Sequence, residues 1–213
     1  MKVRRLGRVA YEPTWRAMQA FNRSRAPGTD DQLWLVEHPP VFTLGLAGRR
    51  EHVRDPGAIP VIATDRGGQV TYHGPGQAVA YVLLDLRRAG LGVKELVRRL
   101  EQAAIEALDE YGVRGERQAG MPGVYVGGAK IAAIGLRVAR GCSYHGVALN
   151  VDVDLAPFSR IDPCGYPGLA SARLRDLGVG DSMSVVQDKL ALRIRQAVSP
   201  AQPGAAPRYV APA

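Results

Sequence analysis

The chain has 213 residues, a length that suits one domain around a single substantial core. Hydrophobic residues at 46% and charged residues at 23% exclude a fully disordered chain, and no apolar run approaches the roughly 20 residues needed to span a bilayer. Twenty-eight basic against 20 acidic residues leave a net charge of +8, which suits an acidic partner: nucleic acid, an anionic surface or an acidic protein. The first fifteen residues are basic but hold no apolar stretch of signal-peptide length, so a soluble, intracellular protein is expected.

Val3 to Val9 reads as a first strand. Pro13 suits the first turn of a helix running to about Arg25, with Trp15, Met18 and Phe21 as its buried face. Gln32 to Glu37 is strand-like; His38-Pro39-Pro40 breaks it, and extended structure resumes over Val41 to Leu46 and again over Val61 to Thr64. A glycine-rich stretch, RGGQVTYHGPGQ (66–77), precedes an apolar run of strand length over Ala78 to Leu86. The clearest helix spans Val93 to Tyr111, with apolar residues at 93, 96, 97, 100, 104, 107, 108 and 111, an exposed Glu95/Arg99 pair and Gly112 as its stop. Pro122 to Val126, Lys130 to Val138 and Tyr144 to Val153 are strand-like. Ser184 to Gln187 reads as a capping box for a last helix to about Val198, and residues 199–213, with four prolines, read as a loose tail. The pattern predicts an α+β fold, with residues 1–198 as one domain.

Two cysteines in such a chain are not a disulfide framework, and neither lies in a zinc-ligand spacing. Cys142 opens an apolar strand, a context that favours a small packed hydrophobe. Cys164 sits in DPCGYPG (162–168), where proline and glycine fix a turn able to present a thiol; context alone leaves a passive and a reactive cysteine both open. Only four of the basic residues are lysines, and Lys130 is the one embedded in small and apolar residues. Burial there would disfavour its charge and let it take a proton from a thiol or stabilise a thiolate. Taken alone, its context favours a strand-edge lysine snorkelling to water. The stretch 66–77 is neither G-x-x-x-x-G-K-[ST] nor G-x-G-x-x-G, yet its glycines permit close backbone approach to a ligand, and it is read as a binding loop carrying His73. His145 reads as a core histidine.

RGGQVTYHGPGQ (66–77), GGAKIAAIGLRVARGCSYHGVALNV (127–151) and DPCGYPGLA (162–170), in this order, closely resemble the lipoyl(octanoyl) transferases of lipoate biosynthesis, and EHPPVFTLG (37–45) matches an early segment of that family. The resemblance runs from about residue 10 to 170. It implies a fold like that of biotin and lipoate protein ligases, a mixed β-sheet flanked by helices. It implies a cytoplasmic acyltransferase, acting as a monomer without cofactor or metal. Such enzymes move an octanoyl (or lipoyl) group from octanoyl-acyl carrier protein to a lysine of lipoyl domains in 2-oxoacid dehydrogenase complexes and of the glycine cleavage H protein. By position, Cys164 matches the acyl-thioester nucleophile and Lys130 the residue that lowers its pKa. Arg66, Gly67, Gly68, Gln69, Val70, Thr71, Tyr72 and His73 match the main substrate-binding loop; Ala133, Ile134 and Gly135, and Gly146, Val147 and Ala148, match two shorter contacts. Ala133 stands where some relatives carry serine.

The chemistry is self-consistent. Thioester exchange followed by amide formation runs downhill and needs no ATP, which fits the absence of a nucleotide motif. Backbone N–H groups near Gly165 or in residues 66–73 are candidate oxyanion donors. At about 0.8 kcal/mol per buried CH₂, an octanoyl tail would gain roughly 5 kcal/mol in an apolar slot, for which Gly67, Gly68, Ala132 and Ala133 would leave room. An ATP-dependent ligase on the same fold is the competing enzyme reading. A nucleic-acid-binding module is disfavoured, because the basic residues are scattered without interleaved aromatics, and no membrane contact is expected. Arg87, Arg88, Arg98 and Arg99 are candidate contacts for an acidic carrier.

Overall fold

Residues 1–162 and 168–199 are described in the structure, a computed structural model. Seven strands form the main sheet: β1 (Lys2–Arg8), β2 (Gln32–Glu37), β6 (Gln77–Leu83), β10 (Cys142–Asn150), β9 (Ala129–Ala139), β8 (Met121–Val126) and β7 (Glu116–Gln118), in that spatial order. β1 runs parallel to β2, and the other neighbours are antiparallel. A second sheet holds β4 (Val61–Ala63), β3 (Val41–Leu44) and β5 (Val70–His73), with β3 parallel to β4 and antiparallel to β5. The helices are α1 (Tyr11–Arg23), the short α2 (Leu86–Ala89), α3 (Val93–Asp109) and α4 (Met183–Val198). Among the described residues, no helix is long and apolar enough to cross a membrane.

Strand alternation sorts the main sheet's side chains to two faces. Leu33 and Leu35 of β2 and Ala78, Ala80 and Val82 of β6 meet α3 and α4 in the largest apolar cluster. The intervening residues, Trp34, Val36, Val79, Tyr81 and Leu83, join Met18 of α1 in a second cluster. With both faces covered, β6 and β10 are buried along their whole length; β6 reads as a near-continuous apolar run, whereas β10 buries Ser143, His145 and Asn150 with hydrogen-bond partners.

Several sequence expectations shift. The buried face of α1 is Tyr11, Thr14, Met18 and Asn22, while Trp15 and Phe21 are only partly buried, because a helix face repeats near 3.6 residues rather than three. The strand expected to reach Leu86 ends at Leu83, since the Asp85 side chain accepts the Arg88 N–H and caps α2. α3 stops at Asp109, followed by Gly112 at φ 68°. α4 begins at Met183 with Ser182 as N-cap; neither serine makes the capping-box bond, and Ser182 Oγ instead lies 3.0 Å from Ser184 Oγ. Ser199 follows α4, and the rest of the expected tail lies outside the described residues.

Candidate active site

A cavity of about 280 Å³ is lined by all three of the short segments singled out above: 66–71 with His73, 133–135 and 146–148. Tyr72 is not among the lining residues. Alternation along β5 turns it from His73, and its ring is buried 5.5 Å from Phe42 and 5.4 Å from Phe158. Ala132, expected to leave room for a tail, lies in the apolar cluster beneath α3, one residue out of phase with Ala133. The Gly67 N–H is committed to Leu136 O at 2.8 Å, so it is not a spare oxyanion donor. Val93 and Val97, read as part of the inward stripe of α3, also line the cavity, and Val93 is 45% exposed.

Arg66 places a buried positive charge at this wall. Its Nη2 donates to Thr43 O (2.6 Å) and Thr43 Oγ1 (2.8 Å), and its Nη1 to Gly67 O (3.0 Å). Next to it, Asp65 accepts from Trp15 Nε1 (2.8 Å), Gln19 Nε2 (3.0 Å), His145 Nε2 (3.1 Å) and the Tyr144 hydroxyl. Burial alone would push this carboxyl up, but its donors together hold it well below the usual range. Tyr144 and His145 are consecutive strand residues that should face opposite ways; both reach Asp65 because His145 adopts φ 62°. The following residue is tightly constrained: a Cβ on Gly146 would lie 2.1 Å from Ala80 O.

The remaining rings form fixed hydrogen-bond chains. His38 Nδ1 donates to Val9 O at 2.7 Å, so the neutral ring accepts the Tyr81 hydroxyl at Nε2, 2.6 Å away. Burial lowers the His38 pKa to about 4. Gln77 Nε2 donates to Tyr72 O and Asn150 Oδ1, which leaves Gln77 Oε1 to accept from His73 Nδ1 at 2.7 Å. Burial, then the nearby His38, lowers the His73 pKa to about 3. Tyr11 stacks on His73 at 5.6 Å. His145, read as a core histidine, is indeed buried, but it lines the cavity and burial lowers its pKa too. Sequence reasoning missed Asp65, Tyr11, Tyr81 and Asn150. The signal available for Asp65 was its place immediately before the glycine-rich stretch.

Lys130 also lines the cavity. It is buried rather than snorkelling, its Nζ donates to Pro122 O at 3.3 Å, and it lies 5.2 Å from the Tyr125 ring centroid. Its main chain pairs with the segment after Cys164: Lys130 N donates to Ala170 O (2.8 Å) and Ala172 N to Lys130 O (3.0 Å). Cys164 lies outside the described residues, as does Gly165, but Leu169 and Ser171 line the cavity. Cys142 is buried and free, and burial raises its thiol pKa, as suits a packing residue. Among the described residues, no group of three or more His, Cys, Asp or Glu is arranged to hold a metal ion. Arg88 pairs with Asp31 at 2.8 Å, and Arg98 and Arg99 both pair with Glu95 at 2.8 Å.

Residues 10–191 match the lipoyl protein ligase A/B catalytic domain. An octanoyltransferase from Thiobacillus denitrificans is 62% identical over 196 residues, 92% of this chain and 90% of the relative. One from an Azoarcus species is 60% identical over 199 residues, 93% of this chain and 88% of the relative. Among solved structures, a bi-partite lipoate protein ligase from Thermoplasma acidophilum superposes with a TM-score of 0.73 at 18% identity, covering 93% of this chain and 84% of that one. A biotin protein ligase from Aquifex aeolicus gives 0.61 at 15% identity, covering 92% and 70%. The mixed sheet flanked by helices is thus the fold shared by these ligases. The chain belongs to the octanoyltransferase family.

Proposed function

We propose that this octanoyltransferase takes the octanoyl group of octanoyl-acyl carrier protein onto Cys164 and passes it to a lysine of a lipoyl domain, with Lys130 moving the protons. In the first step Lys130 accepts the Cys164 thiol proton. The thiolate attacks the donor's carbonyl carbon, the C–S bond to the carrier breaks, and the carrier thiolate takes the proton back from Lys130. In the second step the acceptor's neutral amine attacks the acyl-enzyme, the Cys164 thiolate leaves, and the amine's proton returns through Lys130. The product is an amide, so neither step requires ATP.

The observation that carries this reading is convergence. The loop at 66–71 with His73, the paired β9 and β10 segments 133–135 and 146–148, Lys130, and Phe158, Leu169 and Ser171 on either side of the segment that contains Cys164 line one cavity. At about 280 Å³ it lies just below the roughly 300–1,000 Å³ typical of ligand sites, room enough for an acyl chain. The 66–71 loop and the 133–135 and 146–148 contacts would hold the acyl chain; Tyr72 would support the loop from behind. The enzyme acts in the cytoplasm as a monomer, with lipoyl domains of 2-oxoacid dehydrogenases and the glycine cleavage H protein as acceptors.

The test is transfer from octanoyl-acyl carrier protein to a lipoyl domain without ATP. Wild type and Cys142→Ala transfer, while Cys164→Ser does not. A requirement for ATP, or transfer by Cys164→Ser with a dead Cys142→Ala, contradicts the reading.

A further inference from the structure

We propose that Glu101 is a positioning residue for Lys130, acting through the peptide that joins Pro122 to Gly123. The inference rests on the role of Lys130 given above.

The inward face of α3 is built from Leu96, Leu100, Ala103, Ala104, Ala107 and Leu108, and Glu101 interrupts it at 8% exposure. A carboxylate buried among apolar residues is strongly unfavourable unless its oxygens are satisfied. Both are engaged: Oε1 accepts the Gly123 N–H at 3.0 Å, and Oε2 accepts Arg117 Nε at 3.1 Å. The peptide unit of Gly123 N–H also contains the Pro122 carbonyl, and it is trans. In a planar trans peptide the N–H and C=O point in opposite directions. A carboxylate that draws the N–H toward α3 therefore aims the carbonyl away from it, and there Lys130 Nζ donates to Pro122 O at 3.3 Å.

Two further features mark this contact. Gly123 has φ 140°, and a Cβ there would lie 2.7 Å from Ala132 O and 3.2 Å from Lys130 Cε, so the peptide packs against the lysine stem. The β8–β9 register shifts between Val124 and Tyr125: Val124 pairs with Ala132 but Tyr125 with Lys130, leaving one extra residue on β9 beside Lys130. Such bulges re-aim side chains. The bulge directs Lys130, and Glu101 fixes the carbonyl that receives it.

The test uses the full chain and reads kcat, KM, melting temperature and the pH dependence of Cys164 alkylation. Glu101→Ala lowers kcat roughly 10- to 100-fold, as a misplacement near 1 Å does, leaves KM little changed, and moves the alkylation profile toward that of Lys130→Ala. Glu101→Gln, whose amide oxygen still accepts the Gly123 N–H, restores both. Arg117→Gln lowers the melting temperature but leaves the profile in place. If Glu101→Ala does not fold, Glu101→Asp serves, since its carboxylate is one methylene shorter and gives the same shift to a smaller extent. A destabilised Glu101→Ala (or, in its place, Glu101→Asp) with wild-type kcat and profile overturns the inference, as does a Glu101→Gln as impaired as Glu101→Ala. If Lys130→Ala alters the profile and the Glu101 variants do not, only the positioning role fails. If Lys130→Ala leaves the profile unchanged, the role of Lys130 fails and the inference with it.

Discussion

The two faces of the main sheet are made from the same strands yet carry different kinds of residue. Toward α3 and α4 the strands present Leu33, Leu35, Ala78, Ala80 and Val82, and the helices answer with leucine, isoleucine, valine and alanine. Toward α1 they present Trp34, Val36, Val79 and Tyr81, and polar rings follow: Tyr81 bonded to His38, and Tyr144 and His145 bonded to Asp65. The first face holds the fold together by burial. The second holds groups that need hydrogen-bond partners, and supplies them in fixed chains. Stability and chemistry are therefore separable by substitution except where the two faces meet, at Leu136 and Val147, which belong to the apolar cluster and also line the cavity, and at Glu101, which reaches across to Lys130.

After the loss of transfer in Cys164→Ser, the largest expected effect on activity is that of Lys130→Ala, which reduces turnover by roughly 10²–10⁴-fold, the range for a removed proton-transfer group. Lys130→Arg is also poor, because arginine does not give up its proton. Steady-state transfer rates check both. On the opposite face, Leu100→Ala costs about 2–5 kcal/mol in chemical denaturation while the folded enzyme keeps its kcat. A Leu100→Ala with unchanged stability and lost turnover would break the division between faces.

A subtler effect is acid sensitivity on the polar face. His38 and His73 are neutral in the fold, with pKa lowered to about 4 and about 3, against 6.5 when unfolded. Below pH 6.5 the unfolded chain binds protons that the folded chain refuses, so stability falls as pH drops. The loss from His38 accumulates from about pH 6.5 to about 4 and then levels off. Denaturant midpoints show this slope, and His38→Gln makes it shallower between pH 7 and 4.5. An unaltered slope would show that His38 is not held neutral.

The smallest effect belongs to Arg98 and Arg99. Both are engaged by Glu95, Arg98 on the exposed surface of α3 and Arg99 partly buried against Ala197 O, so Arg98→Ala changes stability by about 0.3–0.5 kcal/mol. Because the two arginines share the one Glu95 carboxylate, the group keeps a net positive charge, and Arg98→Ala weakens the salt dependence of kcat/KM for the acyl carrier protein donor slightly. A collapse of that dependence would make Arg98 the main carrier contact, and no change at all would remove it from the carrier-docking surface.

The apolar face was the legible one. The spacing of Leu96, Leu100, Ala104 and Leu108 reports a helix seam directly, and Gln32–Glu37 was bounded correctly because proline follows it. Of the site, the glycine-rich stretch, Lys130 and the 133–135 and 146–148 contacts stood out through composition and resemblance, and they share one cavity. Asp65, Tyr11 and Tyr81 did not, because they matter through partners 43 or more residues away in the chain, and no local pattern encodes that. His145 looked like core because a strand residue at φ 62° has no sequence signature outside glycine. Glu101 was hidden differently: the helical period places it beside the apolar stripe, but no local pattern shows that the Gly123 N–H and Arg117 satisfy its carboxylate there.

The central claim is that the acyl group passes through Cys164. The most direct measurement is the intact mass of the enzyme after incubation with octanoyl-acyl carrier protein, followed by peptide mapping. One octanoyl adduct is expected, on the peptide containing Cys164, labile to hydroxylamine and discharged when a lipoyl domain is added. An enzyme that transfers octanoyl with no adduct, or with its adduct on Cys142, would contradict it.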